Sequence, residues 1–273
     1  MAADVRLMKT NAELALAETF AAVQSALPGT SDIKAERAAA FEAFATAGLP
    51  HRRVEAWHYT DLRALMREAM PLAAPPDAET KARAKDKGAL FAEVEARRLY
   101  VVNGTFVPEI SDLSEEEGLT IRSMAEALGV GYGLISAHVG KTVATTDAVI
   151  ALNAALMGDG VVIHVAKGVA LARPIHVVHV TDLAVPGAVF TRSLMVVEDG
   201  ATASLIETYE SAGAAAYQAN DVLELVVADK AKLERVKVTT EGEGALHLGS
   251  LLARVGAEAS FETFNFTTGG AVV

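Results

Sequence analysis

Three histidines crowd the most apolar stretch of this chain, in Ile163-His164-Val165 and Ile175-His176-Val177-Val178-His179. Imidazole is the commonest metal-binding side chain, so the question is whether they converge. Alternate residues of a strand share a face, which gives His164 and His176 a common outward face on different strands and His179 the opposite parity to His176. A regular strand cannot aim both at one ion, and two imidazoles without a carboxylate or thiolate make a poor site. Structural histidines, exposed or hydrogen-bonded, are expected, and no metal ligand is assigned. Further on, Glu207, Glu210, Glu224, Glu234, Arg235 and Lys237 could supply the acid and base of a paired-carboxylate mechanism of glycoside cleavage. The same charges on the outside of a β protein would serve solubility. Around the single tryptophan, in Arg53-Val54-Glu55-Ala56-Trp57-His58-Tyr59-Thr60-Asp61-Leu62, Trp57 and His58 could hold a ligand or partner. Trp57 and Tyr59 serve equally as aromatic anchors of a helical core, with Thr60 or Asp61 capping a short helix through Leu65 and Met66. No catalytic residue is assigned, and none is singled out for a cofactor.

Composition removes several chemistries. The 273 residues include no cysteine, which excludes disulfides, cysteine-bound zinc and thiolate chemistry from this segment. Gly242-Glu243-Gly244 and Gly269-Gly270 lack the Lys-Ser/Thr that completes a phosphate loop. A formal net charge of −11 argues against nucleic acid. The basic residues that do gather, Arg52-Arg53 and Lys81, Arg83, Lys85 and Lys87, read as a solvated face diluted by acidic neighbours. Hydrophobic residues make up 51% of the chain, enough for a sizeable core. Asp147, Asp159, Lys167 and Arg173 interrupt the most apolar region, so no membrane span is expected. Met1 to Lys9 carry no apolar leader, and a cytoplasmic protein is expected.

The elements that must position these residues change character along the chain. Leu16, Phe20, Val23 and Leu27 fall on one face of a helix from Asn11 to Leu27, closed by Pro28-Gly29. A second helix spans about 31–47, ends at Gly48 and Pro50, and packs on the first as a hairpin. Pro71 to Lys87 reads as a partly helical connector. Asn103-Gly104 within Arg98–Val107 demands a tight type I′ hairpin. Ser123 with Glu126 fits a capping box opening a helix toward Leu134, and another helix covers about Asp147 to Met157. From Asp159 on, short β-branched runs alternate with corners at Lys167-Gly168, Asp199-Gly200, Asp229-Lys230 and Val255-Gly256. Val169, Ala201, Ala231 and Ala257 recur at steps of 32, 30 and 26 residues, the loose repeat of a β-solenoid. The division expected is 1–95 helical region with linker, 96–158 hairpin and connecting helices, and 159–273 parallel β-helix. Inward core positions are Val161, Ile163, Val165, Ile175, Val177, Leu194, Val196, Leu205, Val226, Val236, Leu251 and Phe264. The chain stops in mid-pattern, so either a longer protein has been cut or a partner covers the last coil near Phe261 to Phe266.

Four segments together resemble the SufB/SufD family of iron–sulfur cluster assembly proteins, the SufD branch in particular. They are Arg53 to Leu62, Leu99-Tyr100-Val101-Val102-Asn103-Gly104-Thr105-Phe106, Leu152-Asn153-Ala154-Ala155-Leu156 with Asp159-Gly160, and Gly168 to Ile175. Arg192, Ile206-Glu207-Thr208-Tyr209, Asn220 and Glu224 continue the likeness, while His58 departs from the basic residue expected in its motif. The resemblance implies a mainly β protein, a right-handed parallel β-helix behind an α-helical N-terminal region, and a non-catalytic scaffold. It implies pairing with SufB, and ATP hydrolysis by a partner, SufC, docked on a C-terminal segment beyond Val273. The implied cofactors belong to the complex, an iron–sulfur cluster and a flavin, with none bound by this segment alone; thiolates come from SufB or from the missing part. Two other readings of a β-solenoid stand beside it, a carbohydrate-active enzyme (a polysaccharide lyase or hydrolase) and a self-assembling structural solenoid.

Overall fold

A computed structural model describes residues 8–87 and 90–272. Residues 1–7, most of the stretch read for a leader, and Val273, the point where the pattern stops, lie outside the described residues. Helix α1 (Asn11–Val23) starts at a full capping box, Thr10 with Glu13, and ends a turn earlier than its apolar spacing suggests. Helix α2 (Ser31–Ala47) stops at Gly48 in a positive-φ conformation. Phe20 of α1 stacks on Phe41 of α2 with ring centroids 4.3 Å apart, which makes the hairpin. Helix α3 (Leu62–Leu65) is capped by Asp61, and α4 (Ala78–Lys87) supplies the connector's helical part. Two of its basic side chains are paired at the surface, Lys81 with Glu109 and Arg83 with Glu79 and Asp182.

Strands β1 (Arg97–Val102) and β2 (Thr105–Phe106) form the Asn103-Gly104 hairpin, with both turn residues at positive φ. β3 (Leu119–Ser123) leads into α5 (Met124–Val130). Only half of the expected capping box forms there: Ser123 Oγ accepts from Glu126 N, while the Glu126 carboxylate pairs with Arg122. The helix also stops short of Leu134, because Gly131 turns left-handed and α6 (Gly133–His138) starts anew. Helix α7 (Ala148–Leu156) is capped by Asp147, whose Oδ1 accepts from Val149 N and Ile150 N.

Eight strands then make four coils: β4 (Val161–Val165), β5 (Ile175–Thr181), β6 (Gly187–Val197), β7 (Thr202–Ser211), β8 (Tyr217–Val227), β9 (Lys232–Thr240), β10 (Ala245–Val255) and β11 (Ser260–Thr267). Even-numbered strands stack in one parallel sheet, closed by antiparallel β3, in the order β10-β8-β6-β4-β3. Odd-numbered strands stack in the other, β11-β9-β7-β5-β1-β2, so the hairpin strand β1 joins the solenoid as a parallel neighbour of β5. Each coil turns at one left-handed residue, Gly168, Gly200, Lys230 and Glu258. Their amides knit the corners together, Gly168 N to Asp199 O, Gly200 N to Asp229 O and Lys230 N to Ala257 O, each at 2.9 Å.

The true repeat corrects the sequence reading at its last step. Lys232 aligns with Ser260, a spacing of 28 residues, so Ala259 and not Ala257 is the equivalent of Ala231. Gly256 had suggested the corner, yet its smallness answers a different need. A Cβ there would sit 2.8 Å from the Ala228 carbonyl carbon of the coil beneath.

The interior holds Val161, Ile163, Val165, Ile175, Val177 and Leu205 as expected, with Met195, Val197, Leu223, Leu225 and Leu233. Six expected core positions differ. Leu194, Val196 and Val226 are buried but point outward, under α5 and α6. That sheet is covered on both faces, so its strands read as continuous apolar runs in which parity is illegible. Val236 lies half-buried on the outer face of the odd-numbered sheet. Leu251 points inward in the last coil and Phe264 outward, and both are exposed, Phe264 to 61%. Helices α1, α2 and α7 bury a second core against Ala188, Phe190, Leu246 and Leu248 on the outside of the even-numbered sheet.

Candidate functional site

Along the coil axis the aliphatic filling gives way to charge. On the odd-numbered sheet one inward column runs Leu99, Val177, Glu207, Lys237, Asn265, and the next runs Val101, His179, Tyr209, Thr239. Facing them from the even-numbered sheet are Thr191 with Asp221, and Ala219 with His247. Each polar residue has the parity of an interior leucine, Leu205 or Leu225, so the strand itself points it into the coil.

The groups meet at short range. Arg235 Nε donates to Glu207 Oε2 at 2.6 Å, and both side chains are 4% exposed. The same guanidinium reaches Thr263 Oγ1 and Asn265 Oδ1 at 3.1 and 3.0 Å. The Tyr209 hydroxyl donates to Asp221 Oδ2 at 2.6 Å, and Thr191 Oγ1 donates to Asp221 Oδ1 at 2.6 Å. His179 stacks on the Tyr209 ring at 4.2 Å, with Lys237 Nζ 4.4 Å from that ring's centroid. Beyond it His247 Nδ1 lies 2.7 Å from Glu241 Oε2, and Tyr217 donates to Glu241 Oε1 at 2.7 Å.

Burial and neighbours set the charge states. Burial pushes the Asp221 carboxyl up, but His179, Lys237 and His247 outweigh it and hold the group below its ordinary value. Burial likewise opposes ionisation of Glu241, and the hydrogen bond from His247 reverses the shift. Burial lowers His179, which the carboxylates of Asp221 and Glu207 only partly offset. The Tyr209 hydroxyl is driven well up by burial and by the same two carboxylates, so it remains a donor. What results is a row of buried ion pairs and hydrogen bonds, Arg235 with Glu207, Tyr209 with Asp221, and Tyr217 and His247 with Glu241, in a low-dielectric interior. Among the described residues no group of three or more His, Cys, Asp and Glu could hold a metal ion.

The residues singled out in the sequence are scattered by this fold. His164 faces outward from the even-numbered sheet, 2.8 Å from Glu198, while His176 is buried on the outer side of the odd-numbered sheet, 3.0 Å from Thr208 Oγ1. They share an outward sense but lie on opposite sheets, so the expected common face does not exist. His179 has the opposite parity, as read. Of the candidate acids, Glu207 points inward, Glu210 and Glu234 outward on one sheet, and Glu224 outward on the other, so the fold does not gather them on one face. Trp57 packs against the helical core and its Nε1 donates to Asp147 Oδ2 at 2.8 Å. Tyr59, expected as an anchor, is 92% exposed, its ring edge-to-face with that of His58.

A second buried polar cluster lies under α7 and explains why several distant motif residues occur together. Asn153 Nδ2 donates to Thr191 O and Asn220 O, both at 2.9 Å, and Asn220 Nδ2 returns a bond to Val149 O. Arg192 bridges Asn153 Oδ1 and Glu224 Oε1, at 3.3 and 2.7 Å. These residues bolt the helix to the sheet. Asp221, Tyr217 and His247 were missed, although their phase along their strands was legible, and Glu241, just past the end of β9, was missed with them.

Helices packed on a parallel β-solenoid with a charged interior layer define the class of protein. Residues 12–177 match the SufBD protein N-terminal region, and residues 179–273 match the SufBD core domain of SUF system FeS cluster assembly. The chain belongs to this SufBD family of iron–sulfur cluster assembly proteins. It is 24% identical over 258 residues to an iron–sulfur cluster assembly SufBD family protein of Synechocystis, covering 90% of this chain and 56% of that one. It is 25% identical over 232 residues to the iron–sulfur cluster assembly protein SufD of Escherichia coli, covering 83% and 51%. The chain thus spans about half the length of the curated relatives it matches. No helix among the described residues is long and apolar enough to cross a membrane.

Proposed function

We propose that the chain is part of a SufD-type scaffold subunit, which pairs with a SufB-type subunit and is driven by a SufC-type ATPase in a cytoplasmic assembly complex. The observation that carries this reading is the ordered match of both family regions, helices then solenoid, over nearly the whole chain. Similarity to the Escherichia coli SufD favours the SufD branch. The sequence has no cysteine and no phosphate loop, so in this reading the thiolates for a nascent cluster and the ATP chemistry come from elsewhere in the complex. The chain contributes a rigid platform, whose buried ion pairs fix the register of stacked coils. Anaerobic incubation of the isolated chain with ferrous iron and sulfide tests the division of labour. The expected spectrum shows no stoichiometric cluster absorption, and one cluster per chain would refute the scaffold assignment.

A further inference from the structure

Among the described residues, one deeply buried cation has no carboxylate partner. Arg37, on α2, is 2% exposed. Its Nη1 donates to Met157 O at 2.8 Å and Ala155 O at 3.2 Å, and Nη2 donates to Pro28 O at 2.9 Å, while Nε has no partner. Every acceptor is a neutral carbonyl, so the guanidinium caps the C-terminal end of α7, whose dipole offsets part of its charge while no carboxylate meets the rest. The charged group that acts on it is a second cation, Arg192, whose own charge is met by Glu224. Burial and Arg192 together lower Arg37 to about 10, which leaves it charged at neutral pH. Buried charges are ordinarily paired, because an isolated one loses its hydration without return.

A cavity of about 310 Å³ adjoins this group, between α2, the Val139–Lys141 loop and the C-terminal end of α7. That is the lower end of the range small-molecule sites occupy. Lys141 stands at its rim, exposed, with its Nζ on Ser136 O and no carboxylate partner among the described residues. Glu36, also exposed, is the one acidic residue in the lining. The rest of the wall is apolar, with Ile33, Val139 and Met157 the largest contributors. In a chain of net charge −11, a pocket where Arg37 and Lys141 outnumber one rim carboxylate, with Arg192 already paired to Glu224, is a local reversal of sign.

We propose that this cavity is a binding site for a small organic carboxylate with an apolar body, its carboxylate held between Arg37 and Lys141 and its body against Ile33, Val139 and Met157. The few cationic donors left free suit the two oxygens of a carboxylate better than the three of a phosphate. The site would join α2, the Val139–Lys141 loop and α7, so occupancy would tighten the helical region on the solenoid. None of this depends on the scaffold role.

Calorimetric titration of the protein with hexanoate, hexyl phosphate, hexanol and hexylamine tests it. Hexanoate should bind saturably with a Kd of about 1 mM or lower, and hexanol and hexylamine at least about tenfold more weakly. Lys141→Glu reverses an exposed rim charge and should weaken hexanoate at least about tenfold, more at low salt than at high. Ala40→Leu, which fills the cavity from a half-buried position in its lining, should abolish binding while the thermal midpoint stays within a few degrees. Equal affinity for hexanol would mean an apolar hole only, and tighter binding of hexyl phosphate would overturn the carboxylate assignment. No saturable binding up to about 10 mM, or variants that bind like the parent protein, would overturn the site itself.

Discussion

Replacing Arg235 by methionine strands the Glu207 carboxylate inside the coil. The pair has desolvated both ions already, so losing one partner should cost about 3–5 kcal/mol in chemical denaturation. Adding Glu207→Gln should recover a large part of that cost, because a neutral amide needs no counter-charge. A double variant no more stable than Arg235→Met would show that the pair is not coupled. His176 gives the pH dependence. Burial first, with Arg98 and His179, lowers it from 6.5 to about 4. The unfolded chain takes up this proton near pH 6.5 and the folded chain only near 4, so between those values the unfolded state binds more protons. Stability therefore falls as pH drops from about 6.5 to about 4, by at most about 3 kcal/mol, and this contribution is constant below. His176→Gln should remove up to about one proton from the slope over that window, and an unchanged slope would mean that the imidazole is charged in the fold. Neither residue's role was evident from its type. Glu207 and Arg235 read as solubilising surface charges, because an ion pair inside a solenoid is legible only once the strand parity is fixed by the aliphatic neighbours.

At the scale of elements, the alternation of turn residues and β-branched runs was enough to reveal the coils, since corner and strand are local features. The hairpin at Asn103-Gly104 and the helices behind Thr10 and Asp147 were legible for the same reason. What local pattern could not show is which side of a strand faces inward when helices bury the other side too. Leu194, Val196 and Val226 went to the wrong face on that account. The last corner was misplaced because glycine has two uses, left-handed backbone and close approach, and Gly256 serves the second. This distinction has a measurable consequence. Gly200→Ala meets no atom within 4 Å, so only its left-handed φ of 66° resists, at about 1 kcal/mol. Gly256→Ala drives a methyl into the backbone of the coil beneath and should cost about 2 kcal/mol or more. The reverse order in thermal denaturation would restore Gly256 as the corner residue.

For the whole molecule, the fold joins two buried polar systems through one solenoid: a charged layer between the sheets and the Asn153–Arg192–Glu224 cluster that fixes α7 outside them. Both place cost in the core and return register, the best-attested use of buried charge. That suits the proposed platform, on which other subunits would be placed accurately. The scaffold proposal is tested most directly by capture of the protein expressed from its own gene with an N-terminal tag, followed by native mass spectrometry of what is retained. The expected result is a stable complex in which this subunit is joined by one SufB-type subunit and by SufC-type ATPase. Recovery of the protein free of both, under conditions in which the SufB-type and SufC-type subunits are captured together, would contradict it.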